Sequence, residues 1–166
     1  TCLVTPEGIQ NECKILYNFA IDGAMKLPRV LFILRSHPIF NISKDFNNLK
    51  DSNKLPKNII ISNKPLMEDI LRSDICLYRG STSIITALQC GVYPLYLNLK
   101  NELNIDPLFS LNYWKSEIND LNDFNKFIEQ SYFKKIDSSK SRLKAINFAN
   151  NYFSNYSKIN VLKSLN

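Results

Sequence analysis

Five short runs of the chain are apolar almost without interruption: residues 2–5 (CLVT), 30–34 (VLFIL), 58–61 (NIII), 75–78 (ICLY) and 93–97 (YPLYL). A strand with one wet face alternates apolar and polar residues, so unbroken runs of this length belong to a sheet covered on both faces. Such sheets are parallel, and each parallel pair needs a crossover, usually a helix, to bring the chain back to its starting edge. The intervening sequence supplies such segments. Residues 9–25 place Ile15, Leu16, Phe19 and Ala20 at helical spacing, and Lys26 to Pro28 stops the pattern. Ser62-Asn63 reads as the cap of a short helix with Pro65 in its first turn and Leu66, Ile70 and Leu71 facing the core. Ser83 to Cys90 makes the next helix, and Gly91 is its natural stop.

This alternation predicts an α/β fold built on a doubly wound parallel sheet of about five to six strands. After Leu97 the signal weakens. Asn98 to Trp114 is polar or irregular, while Leu121 to Phe133 and Ser138 to Tyr156 read as closing helices. Phe148, Tyr152 and Tyr156 fall four apart on the last of these, and such a stripe is expected to face the core.

With 166 residues, 45% of them hydrophobic, residues 1–166 are expected to form a single domain with one core. No run reaches the roughly 18 to 20 apolar residues that a membrane span needs. Thr1 opens neither a signal peptide nor a complete reading frame, so the domain is expected to be a fragment of a longer two-domain chain. Cys2, Cys13, Cys76 and Cys90 lie in or beside apolar stretches without CxxC spacing, as reduced core residues of a cytoplasmic protein would. The formal net charge of +6 suits an anionic ligand or peripheral association with a membrane. The basic residues are scattered and form no stripe interleaved with aromatics, so no nucleic acid is expected as a partner.

Ligands of open α/β sheets bind at the carboxyl ends of the strands. Here those ends deliver Pro6-Glu7-Gly8, Arg35-Ser36-His37-Pro38, Ser62-Asn63, Arg79-Gly80-Ser81-Thr82-Ser83 and Asn98. A helix starting just after Gly80 would present unpaired N–H groups, glycine would admit a ligand close to the backbone, and three hydroxyls and Arg79 would complete a phosphate cradle. The sequence contains neither GxxxxGK[ST] nor GxGxxG, so P-loop and standard dinucleotide chemistry are not indicated. His37 is the only histidine, held extended by Pro38, and can donate to a phosphate or carboxylate beside Arg35. Glu7 can accept a proton or bind sugar hydroxyls, although the position before a helix also favours an acid for dipole reasons alone. One histidine gives no arguable Ser/His/Asp triad, and no carboxylate cluster in the sequence suggests a metal.

Three stretches, TPEGIQNEC (5–13), FILRSHPIF (32–40) and RSDICLYRGSTSIITALQCGVYPLYL (72–97), resemble the C-terminal, donor-binding domain of GT-B glycosyltransferases that build bacterial surface polysaccharides. The resemblance covers roughly residues 1–100. His37-Pro38 and Ser81-Thr82 are similar to the HP and S-S/T motifs of bacterial sialyltransferases and Kdo transferases, and CDP-glycerol transferases show a comparable arrangement. The resemblance implies a Rossmann-like half of a GT-B fold. It also implies a nucleotide-sugar donor, CMP-linked if the sialyltransferase likeness holds, with no cofactor and no metal. Nucleotide-sugar binding would fall to Arg35, His37, Pro38, Arg79, Gly80, Ser81, Thr82 and Ser83. The acceptor, a surface polysaccharide or glycolipid at the inner face of the membrane, would belong to an N-terminal domain, so this domain alone would be inactive. Two departures stand out: Thr86 occupies the place where many such enzymes bind ribose through an acid, and Glu7 is a single acid where related families use a pair in the other half. The catalytic residue is therefore left open, with Glu7 the candidate. A sugar-nucleotide epimerase-like domain and a non-catalytic nucleotide-binding or interaction domain are the alternative readings.

Overall fold

The computed structural model describes residues 1–39, 55–100, 102–131 and 139–153. It shows a six-stranded sheet in the order β3-β2-β1-β4-β5-β6, formed by β1 (Cys2–Thr5), β2 (Phe32–Arg35), β3 (Ile59–Ser62), β4 (Ile75–Tyr78), β5 (Tyr93–Leu97) and β6 (Ser116–Ile118). Every pairing is parallel, with Leu3 opposite Ile33 on one side and Cys76 on the other. The expected α/β class and doubly wound parallel sheet are what the chain adopts. β1, β4 and β5 are buried at every position, which is why their sequences carry no alternation.

Among the described residues the helices are α1 (Gln10–Lys26), α2 (Leu66–Leu71), α3 (Ser83–Gln89), α4 (Leu121–Lys126) and α5 (Ser139–Asn150). Right-handed crossovers running outward in opposite directions from the sheet centre send α1 and α3 to opposite faces. Their packing partners differ accordingly. Phe124 of α4 sits edge-on to Phe19 of α1 at 5.8 Å and packs on Phe32 at 5.9 Å. Gly23 allows this approach, since a methyl group there would lie 3.2 Å from the Phe124 ring. On α3, the Gln89 amide donates to the Ala149 carbonyl of α5. No helix among the described residues is long and apolar enough to cross a membrane.

Several boundaries differ from the sequence expectation, each for a local reason. Val30 belongs to the turn leaving α1, where its N–H reaches the Leu27 carbonyl, so β2 starts at Phe32. Asn58 is a cap rather than a strand residue: its amide donates to the carbonyls of Ala24, Leu27 and Val30 at 2.8–3.1 Å, satisfying the frayed end of α1. Ser62 does not cap α2, whose N-cap is Pro65 with no side-chain bond; its hydroxyl accepts from Lys64 N–H and donates to Asp69. Leu71 is 73% exposed rather than core-facing, because α2 ends there after a single buried apolar residue, Ile70.

Gly91 stops α3 as expected and needs its glycine, with φ +74°. β6 had no sequence signal, being only Ser-Glu-Ile. The helix expected over 121–133 is capped by Asp120, which accepts from the N–H groups of Asn122 and Asp123, and it widens into a π turn at Phe127–Ser131. The helix expected over 138–156 ends at Asn150. Of the aromatic stripe, Phe148 packs against the core, whereas Tyr152 sits at the surface in the following turn and donates to the Pro107 carbonyl. Tyr156 lies outside the described residues.

Candidate functional site

The chain steps outward from β1 through β2 to β3, then returns to the other side of β1 and steps outward through β4, β5 and β6. The connections after β1 and β4, which are neighbours, therefore leave in opposite directions. The crevice opened at such a switch point, beyond the carboxyl ends, is where ligands of open α/β sheets bind. Residues 6–8 after β1 and 79–83 after β4 flank it.

Three strand ends meet there. The Glu7 carboxylate lies directly on the Gly80 backbone: a methyl group on Gly80 would overlap Glu7 Oε2 and sit 2.8 Å from Cδ. His37, beyond β2, lies against Gly8, where an added Cβ would stand 3.2 Å from the ring. Its Nδ1 accepts the Ile39 N–H at 3.2 Å, which leaves the proton on Nε2 as a donor. Ser81 is buried and its hydroxyl pairs with that of Ser83 at 2.7 Å. Helix α1 holds the frame, since the Cys13 thiol donates to the Glu7 carbonyl and the Tyr17 hydroxyl donates to the Arg35 carbonyl at 2.6 Å.

The other anticipated residues are placed differently. Thr82 and Pro38 are exposed, and Thr82 makes no side-chain cap at the start of α3. The Arg35 guanidinium is committed to the buried Asp69 carboxylate and to the Lys64 carbonyl, away from the crevice. Arg79 is 3% exposed. Its Nε donates to Glu12 and its Nη2 to Glu102, both at 2.5 Å, and its Nη1 donates to the Leu97 carbonyl at 3.3 Å. Burial works against its charge, but the two carboxylates outweigh this and raise its pKa. Glu12 and Glu102 were not singled out in the sequence, because a helix-start glutamate and a loop glutamate carry no signal of a partner 67 or 23 residues away. Cys13 and Tyr17 were detectable only as a buried i, i+4 pair. A cavity of about 710 Å³ lies at the opposite, amino-terminal edge of the sheet, beside Thr1, Val30 and Ile75, and takes no part in this arrangement.

Glu7 is the unsatisfied member of the set. Its Oε1 is buried with no hydrogen-bond partner. Burial, then the Glu12 charge, push its pKa up against the opposing pull of Arg79. A carboxylate with a raised folded-state pKa weakens the fold above that pKa, and the penalty fades as it protonates at lower pH. Glu7→Gln is therefore expected to stabilise the protein at pH 7 and to do so less at pH 4, in urea titrations at the two pH values. An equal gain at both would show that the charge is not the cause.

Solved structures that share this fold include two glycosyltransferases. The crystal structure of the glycosyltransferase SnogD from Streptomyces nogalater superposes with a TM-score of 0.52 at 14% identity, over 99% of this chain and 43% of that one. The glycosyltransferase of kitacinnamycin gives a TM-score of 0.58 at 14% identity, over 91% of this chain and 38% of that one. This chain thus spans about two fifths of either protein's length. No protein-family model and no curated protein matches it.

Proposed function

We propose that this chain is the donor-binding half of a glycosyltransferase, taking a nucleotide-activated sugar at the crevice between β1 and β4. The observation that carries this reading is the convergence of His37, Glu7-Gly8 and Gly80–Ser83, from three separate strands, at the switch point. The fold likeness to two glycosyltransferases supports it.

In this reading the Gly80 backbone, once the Glu7 carboxylate moves off it, and the hydroxyls of Ser81, Thr82 and Ser83 bind the phosphates, and His37 donates to them through Nε2. Developing charge on the departing nucleotide is met by donors fixed in advance, so no reorganisation is needed at the moment of transfer. Glu7 faces the same backbone and is the nearest group able to take a proton or hold a sugar hydroxyl. Arg35 contributes by fixing the end of β2 that carries His37. The acceptor, a surface polysaccharide or glycolipid, is held by an N-terminal domain across the cleft, on the cytoplasmic side of the membrane.

Calorimetric titration with CMP, CDP, UDP and GDP tests the reading. Selective binding of one nucleotide is expected. His37→Ala, and Ser81→Ala combined with Thr82→Ala, should each weaken it about fivefold, on the order of 1 kcal/mol. Absence of binding to all four, by both the folded chain and its Glu102→Gln variant, overturns it.

A further inference from the structure

The crevice carries an imbalance of charge. Arg79 directly precedes the Gly80 turn, and the carboxylates of Glu12 and Glu102 already occupy two of its three nitrogens, the third reaching the Leu97 carbonyl. Glu7 adds a third carboxylate, close enough to feel both Glu12 and Arg79. Among the described residues these three carboxylates outnumber the one guanidinium they share, and like charge in a partly dry site repels strongly.

The two glutamates on Arg79 are not equivalent. Glu12 is on α1, whose next residue, Cys13, is tied to the Glu7 carbonyl, and the Glu12 side chain is 21% exposed. Glu102 is on the connection between β5 and β6, and its side chain is 41% exposed. Beyond it that connection is anchored separately: Asp106 takes hydrogen bonds from Tyr78 and Lys115 at 2.7 and 2.6 Å. Glu102 can therefore swing into water without undoing the connection, whereas Glu12, less exposed and on a packed helix, has less room to turn out.

We infer that Glu102 is an autoinhibitory gate: in the resting chain it occupies the Nη2 side of Arg79, and an anionic donor must displace it to reach that guanidinium. This rests on the donor-site reading. A nucleotide then sees only the fraction of molecules with Glu102 turned out, and its apparent affinity is reduced by that fraction. Opening the gate also removes one negative charge from the crevice and frees the Nη2 donor of a guanidinium, a group suited to phosphate.

The test is calorimetry with the same four nucleotides on the unaltered chain and on three variants. Glu102→Gln should tighten the nucleotide that binds by roughly threefold to tenfold, the range expected for releasing a half-exposed ion pair. Glu102→Asp, which keeps the charge but shortens the reach to Arg79, should also tighten it. Glu117→Gln, an exposed carboxylate on β6 without contact to Arg79, should change it less than twofold. Binding that appears only in Glu102→Gln supports the gate as well. Equal affinity in the unaltered chain and Glu102→Gln overturns the gate and leaves the donor site standing. Tightening by Glu102→Gln with none by Glu102→Asp reduces Glu102 to a background charge and also overturns it. No binding by any protein overturns both readings together.

Discussion

Asp106→Ala should be the most damaging single change at a polar position, lowering the unfolding free energy by about 3–5 kcal/mol. The Asp106 side chain is fully buried and the Lys115 ammonium on it is 8% exposed. Asp106 Oδ1 also accepts from the Tyr78 hydroxyl and from the Leu108 N–H, while Lys115 donates further to the Leu108 carbonyl. Removing the carboxylate leaves a phenol and an amide without their acceptor and takes from Lys115 its nearest counter-charge in a dry site. Burial, followed by Asp106 itself, pushes the Tyr78 pKa far up, so the phenol stays a neutral donor and cannot adapt by ionising. Urea denaturation of the variant measures the loss. Combining Asp106→Leu with Lys115→Met and Tyr78→Phe should recover part of it, because an apolar set of similar volume removes the buried charge and phenol and leaves only the Leu108 N–H unpaired. A single variant within about 0.5 kcal/mol of the unaltered protein would show that the site admits water.

Asp69→Ala should cost nearly as much, about 3 kcal/mol. The fully buried Asp69 carboxylate holds Arg35 and Arg72 and accepts from Ser62. Arg72 is 37% exposed and can turn to water, whereas Arg35, at 16%, is left without its partner at the end of β2. The loss thus falls on the strand end that presents His37. Burial alone would raise the Asp69 pKa, but the bonds from Ser62, Arg72 and Arg35 overcome it and set the value below the ordinary one. An acid with a depressed folded-state pKa adds stability that is present above its unfolded value, near pH 4, and lost as pH falls through the folded one. The gap between the unaltered protein and Asp69→Asn should therefore be widest near neutrality and close below about pH 4. A gap that stays the same size from neutrality down through acid pH would mean that Asp69 acts by packing and not by charge.

Much of the sheet was readable in advance because burial on both faces leaves a direct mark, the unbroken apolar runs of β1, β4 and β5. β6 left none, since three residues with a central exposed glutamate look like loop until Leu95 and Leu97 are beside them to pair. The short α2 misled for a related reason: over six residues the 3.6 period cannot say which apolar side chain faces inward, and Ile70 rather than Leu71 does so. Polar residues at strand ends were found by position alone. Whether an arginine there meets ligand or protein depends on carboxylates far off in the chain, Asp69 for Arg35, and Glu12 and Glu102 for Arg79.

The class of the fold, the crossovers, the glycine stop at Gly91 and the clustering of Gly, Ser, His and Glu at carboxyl ends were all legible from the residues alone, because each follows from local periodicity or from one residue's own geometry. Only the tertiary structure decided the strand order, and with it that the ends of β1 and β4 form the switch point. It also decided that Glu7 rests on Gly80, that His37 rests on Gly8, and that Arg79 is already shared between two glutamates. Pairings across tens of residues are fixed by which strands lie side by side, and no local pattern encodes that choice.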